Sequence, residues 1–136
     1  MQAPGSKENY ASMENFVSMA DSEGNTLLHI AANNEEISIV KFALEFGLNP
    51  LNGNNKGVTA LHFAAMRGNE SIAKVLLESE EVPDIKAYIA DKAVGICNET
   101  PFYFAAKFNH PNMITFLLEK CVTNTINYSR AFLSRK

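Results

Sequence analysis

The sequence predicts an all-α solenoid of stacked helix-turn-helix units, with short hairpin loops between them and capping helices at the ends. Three observations carry that prediction. A segment reading GNTLLHIAANNEEISIVKFAL from Gly24 returns as GVTALHFAAMRGNESIAKVLL from Gly57 and as NETPFYFAAKFNHPNMITFLL from Asn98. Its threonines, Thr26, Thr59 and Thr100, stand 33 and then 41 residues apart. Within each copy the apolar residues fall at helical spacing rather than in alternation. One such helix pair cannot bury its apolar face alone, whereas three stacked copies can.

Each element follows from local chemistry. Residues 1–20 form an N-terminal capping segment in which Tyr10, Met13, Phe16 and Val17 share one face. The first repeat covers 21–53, the second 54–90 and the third 91–123, with a capping helix over 124–136 that carries Tyr128, Ala131, Phe132 and Leu133. In each repeat the threonine hydroxyl is placed to cap a first helix, and Pro101 takes the favoured first helical position in the third. That helix presents Leu28, Ala31 and Ala32, then Leu61, Ala64 and Ala65, then Phe102, Ala105 and Ala106. Paired alanines allow close approach of neighbouring helices. Polar breaks follow, with Asn33 and Glu36 as a capping-box variant and Asn69 and Asn109 as N-caps. The second helices bury Ile39, Val40 and Leu44, then Ile72, Val75, Leu76 and Leu77, then Met113, Ile114, Leu117 and Leu118. Gly47 is placed to close the first unit in a left-handed turn. The extra eight residues of the longer interval fall in VPDIKAYIADKAVG, where Asp84 to Ala90 reads as a short helix packing Ile85, Tyr88 and Ile89.

This pattern resembles the ankyrin repeat, roughly D-x-x-G-x-T-P-L-H-x-A-A over a 33-residue period. Asp21, Gly24, Thr26, Leu28, His29, Ala31 and Ala32 match in the first copy. Gly57, Thr59, Leu61, His62, Ala64 and Ala65 match in the second, and Thr100, Pro101, Ala105 and Ala106 in the third. The third departs where Phe102 and Tyr103 replace Leu-His and Asn98 replaces glycine. The resemblance implies a cupped module that binds a partner protein or peptide on its concave face. Carried over by position, it implies contacts from hairpin tips at Ser22, Glu23 and Asn25, at Asn55, Lys56 and Val58, and at Ile96, Cys97 and Glu99. The palm would add Asn33, Asn34, Met66, Arg67, Lys107 and Phe108. Met66 and Phe108 have no evident core role in that register, and with Arg67 and Lys107 they suit an acidic and apolar partner.

Composition narrows the function. A net charge of −3 argues against a nucleic-acid footprint. No apolar run is long enough to cross a membrane. Cys97 and Cys121 form no CxxC or ligand cluster and read as reduced thiols in a cytoplasmic setting. His29 and His62 occupy equivalent positions one repeat apart. Stacked helices lie about 8–10 Å apart, too far for two nitrogens to share one zinc at about 2 Å each. Both therefore read as structural imidazoles bonded to the repeat threonine and a neighbouring hairpin, while His110 reads as exposed at a helix start. No nucleophile, phosphate loop or acid–base pair is visible, so no catalysis, cofactor or metal is expected. The expected molecule is a monomeric binding module. The alternative is a targeting or regulatory domain of a larger enzyme or enzyme complex. An asparagine-rich composition also suggests a bacterial effector acting in a host cytoplasm.

Overall fold

The computed structural model describes residues 19–79, 89 and 99–133, with side chains through 122. Six helices form three antiparallel pairs among these residues: α1 (Leu27–Asn33) with α2 (Ile37–Glu45), α3 (Ala60–Arg67) with α4 (Glu70–Leu77), and α5 (Pro101–Lys107) with α6 (Pro111–Leu133). The inner helices α1, α3 and α5 pack side by side in chain order, and the outer helices lie behind them. Five of the six have seven to nine residues. Helices that short do not persist alone in water, so stacking holds them in shape.

The alanine pairs do more than thin the helices. In every repeat their carbonyls accept the two amides that close the inner helix: Glu35 and Glu36 on Ala32 and Ala31, Gly68 and Asn69 on Ala65 and Ala64, Asn109 and His110 on Ala106 and Ala105. This is a Schellman-type closure, which needs one residue in the left-handed region. That residue is Glu35 (φ 60°), Gly68 (φ 69°) and Asn109 (φ 62°) in the three copies. Gly68 takes this conformation freely and Asn109 tolerates it, which leaves Glu35 as the strained one.

The core runs the length of the stack. Leu28, Leu61, Ile72, Leu76, Met113 and Leu117 are buried, as are Val40 and Ala43 on α2. Ile89 of the long connection is also fully buried, in helical conformation, and joins the same cluster. The remaining residues expected in that short helix lie outside the described ones.

Several local expectations change. Asn33 ends α1, and α2 starts behind Glu36 with no side-chain cap, so the capping-box variant does not form. Asn69 does cap α4, accepting from Ile72 at 3.0 Å. Asn109 is the left-handed turn residue, two places before the start of α6. In the third repeat Phe104 rather than Phe102 is the more buried ring, and Ala106 is exposed. Ile39 and Leu118, expected in the core, are 39% and 52% exposed, because each lies at an end of the described stack. The helix expected over 124–136 is not a separate element, since α6 continues unbroken to Leu133.

Candidate functional site: the loops, the palm and the α5 cluster

The loops before α1 and α3 are built alike. The Asp21 carboxylate accepts the amides of Glu23 and Asn25 at 2.9 Å each. Asn54 stands at the same register and accepts the amides of Lys56 and Val58 at 2.9 and 3.0 Å. The Asn25 amide holds the Asp21 carboxyl below its ordinary range. The two loops are then stitched together. Asn54 donates to the Asn25 side chain at 2.8 Å, the Asn55 side chain to the Ser22 carbonyl at 3.0 Å, and the Asn55 amide to the Glu23 carbonyl at 2.9 Å. Gly24 lies so close that a Cβ there would collide with the Asn55 side-chain oxygen.

Behind the loops, histidines join one repeat to the next. His29 Nε2 lies 3.0 Å from the Asn52 carbonyl, which can only accept, so Nε2 carries the proton. Nδ1 is therefore the acceptor for the Thr26 amide at 3.0 Å, with the Thr26 hydroxyl 2.9 Å away. His62 repeats the arrangement with Thr59 at 3.0 Å and reaches the Glu99 carbonyl at 3.1 Å. Each imidazole does the reciprocal job that a glutamate does in a capping box, without a charge. Each also meets the next repeat's aromatic ring edge-on: Phe63 at 6.1 Å from His29 and Phe104 at 5.4 Å from His62. Burial pushes the His29 imidazole below its ordinary 6.5. His110 is not the exposed residue expected from sequence. It is half-buried and donates back to the Met66 carbonyl at 2.8 Å, capping the end of α3.

The candidate partner residues divide sharply on this frame. Ser22, Glu23, Lys56 and Asn34 are exposed at the loops and palm. Asn25 and Asn55 are occupied in the ladder between loops. Val58 is a correction: it is 8% exposed and belongs to the core, because the turn that Asn54 closes directs it inward. Met66 also packs partly against the core rather than standing clear of it. Asn33 accepts from Arg67 at 3.1 Å, and Glu35 from Asn69 at 3.4 Å, so the middle of the palm is tied across repeats. Ile96 and Cys97 lie outside the described residues.

Two exposed aromatic rings and a cation gather at α5. Phe108 and Tyr103 are each 44% exposed. The Lys107 ammonium sits 5.8 Å from the Tyr103 ring centroid and 6.0 Å from that of Phe108, within cation–π range. It also lies 3.7 Å from the half-buried Glu99 carboxylate. Tyr103 was missed from sequence. The available signal was its place in the histidine's register, three residues after the threonine. Among the described residues, no group of three or more histidine, cysteine, aspartate or glutamate side chains is arranged to hold a metal. No described helix is long and apolar enough to cross a membrane.

The comparisons agree with this geometry. The family model for ankyrin repeats, in three copies, matches residues 6–88, and the chain belongs to that family. The segment from Thr100 lies beyond the match and joins the stack by its geometry. The chain is similar to transient receptor potential cation channel subfamily A member 1 of Homo sapiens, 40% identical over 74% of the chain. It is 27% identical to the Drosophila melanogaster channel of the same name over 77% of the chain. It is 30% identical to the Caenorhabditis elegans ANK repeat-containing protein nipk-1 over 51%. It covers only 8%, 8% and 12% of these relatives, so the likeness concerns a short stretch of each and not the whole proteins. Ankyrin repeats generally mediate protein–protein interaction and are typically non-catalytic.

Proposed function

We propose that this chain is a rigid protein-binding module whose partner docks on the concave face at Tyr103, Lys107 and Phe108. The observation that carries this reading is the division described above. The loop amides and the Asn33–Arg67 pair are consumed within the stack, whereas the α5 cluster keeps two exposed aromatic rings beside a cation. Aromatic anchors with a neighbouring positive charge are typical of interface hot spots. A partner segment bearing an apolar residue next to a carboxylate complements them. The preformed surface loses little entropy on binding. The cytoplasm is the setting proposed for this interaction, where Cys97 and Cys121 stay reduced.

The test is affinity for a captured and identified partner. Phe108→Ala with Lys107→Ala changes exposed side chains and leaves the fold intact by circular dichroism. Binding weakens about tenfold or more, as expected for a hot spot. Unchanged affinity sinks the proposed site.

A second reading has its own observation. The named relatives are about ten times longer than the aligned stretch, so in them these repeats are one part of a large protein. We infer that the same module can equally serve as a regulatory segment of a larger assembly. The bacterial-effector reading rests on asparagine-rich composition alone.

A further inference from the structure

Asparagines crowd the loop between α2 and α3, and one of them is not held. Asn49 accepts the Leu51 amide, Asn54 accepts from Lys56 and Val58, and Asn55 donates to the Ser22 carbonyl. Asn52 is exposed, and its side chain makes no hydrogen bond among the described residues. The amide of Gly53, the next residue, is likewise unbonded among them. Asn52–Gly53 is the one asparagine–glycine pair in the chain. A Cβ on Gly53 would meet the Gly57 backbone at 2.9 Å, so the turn requires glycine there. A side chain at that position would shield the amide nitrogen. The fold therefore keeps the nitrogen bare beside an unheld carboxamide.

We infer that Asn52 is a site of spontaneous deamidation and isomerisation, and that isoaspartate there undoes the His29 link between the first two repeats. The Gly53 nitrogen attacks Asn52 Cγ. Its proton leaves with the side-chain NH2 as ammonia, and a succinimide ring closes. Water then adds to either ring carbonyl. Breaking the new bond from Cγ to nitrogen gives aspartate and the original main chain. Breaking the bond from the main-chain carbonyl carbon to nitrogen gives isoaspartate. The chain then runs through Cγ, and the former main-chain carbonyl becomes a free carboxylate. That carbonyl is the acceptor that His29 Nε2 reaches at 3.0 Å. Isoaspartate removes it from the chain and inserts one more carbon between the turns held by Asn49 and Asn54. None of this depends on the binding role proposed for α5.

The test holds the full 136-residue chain at mildly alkaline pH, below its melting temperature, both native and unfolded in guanidinium. Peptide mapping by mass spectrometry follows amide loss. Native Asn52 reacts within about tenfold of its unfolded rate, because no loop hydrogen bond has to open first. It also reacts before Asn49, Asn54 and Asn55. The isoaspartyl fraction is then separated by chromatography and compared in urea with Asn52→Asp. The two are isomers with the same formal charge, and only the variant keeps the native main chain. The isoaspartyl chain unfolds at the lower urea concentration. A native rate further below the unfolded one, or an isoaspartyl midpoint equal to or above that of Asn52→Asp, overturns the inference.

Discussion

The junction between the first two repeats and the junction between the second and third hold by different means. At the first, one histidine bond is reinforced by side-chain bonds between repeats: the half-buried Asn54 with Asn25, and the exposed Asn55 with Ser22 and Arg67 with Asn33. At the second, two imidazole bonds among the described residues run in opposite directions, His62 to Glu99 and His110 back to Met66. Exposed amide pairs exchange one partner for water and contribute little, whereas half-buried bonds leave an orphaned carbonyl when broken. Among the described residues the regular pair of repeats is thus stitched at its loops as well, and the irregular one is pinned by two imidazoles. That difference also explains the site. Amides that stitch loops together are not free to meet a partner, which is why the binding surface is proposed at α5.

The largest expected effect breaks the pinned junction. Gly68→Ala forces a side chain into φ 69° and places a Cβ 2.5 Å from His110 Nδ1. Left-handed strain costs about 1–2 kcal/mol, and displacing His110 adds about 1–3 kcal/mol for the unsatisfied Met66 carbonyl. Urea denaturation should show a loss of about 2–5 kcal/mol. A loss under 1 kcal/mol would mean that His110 pins nothing.

Acid should act next, through His29. Its folded pKa lies below the ordinary 6.5, so the unfolded chain binds the proton first. The stability from neutral His29 is complete above pH 6.5 and is lost as pH falls below it toward the folded pKa. Asp21 is also lowered, but from 3.8, so its contribution is lost only at more acid pH. Melting temperature should therefore decline as pH falls below 6.5, and His29→Gln should flatten that decline.

The same turn in the first repeat should respond in the opposite sense to Gly68→Ala. Glu35→Gly relieves φ 60° and removes only a 3.4 Å contact from Asn69. It should stabilise the chain by about 1 kcal/mol. The smallest effect belongs to the surface stitching: Asn55→Ala should cost about 0.5–1 kcal/mol, measurable in the same titration. A loss near that of Gly68→Ala would erase the distinction between the junctions.

The repeat was legible because threonine, histidine and paired alanines recur with local geometric duties. Thr26, His29, Thr59 and His62 met the roles read from sequence, down to the hairpin carbonyl each imidazole reaches. The candidate surface was less legible. Val58 and Asn55 sit at loop tips by position, but their use depends on which neighbouring loop comes close, and no single repeat encodes that. Ile39 and Leu118 read as core because helical spacing records a face, not whether another repeat covers it. His110 was misjudged because its acceptor, the Met66 carbonyl, is a backbone atom 44 residues away.

The central claim is that the concave side at α5 meets the partner. Phe42 on the outer helix and Phe108 on the palm are both 44% exposed, so they form a matched pair of probes. A photo-crosslinking phenylalanine analogue at each position, in chain held dilute, reports which side is occupied. The partner should be captured from position 108 and not from position 42. Capture from position 42 with none from position 108 would place the partner on the outer face and contradict the account.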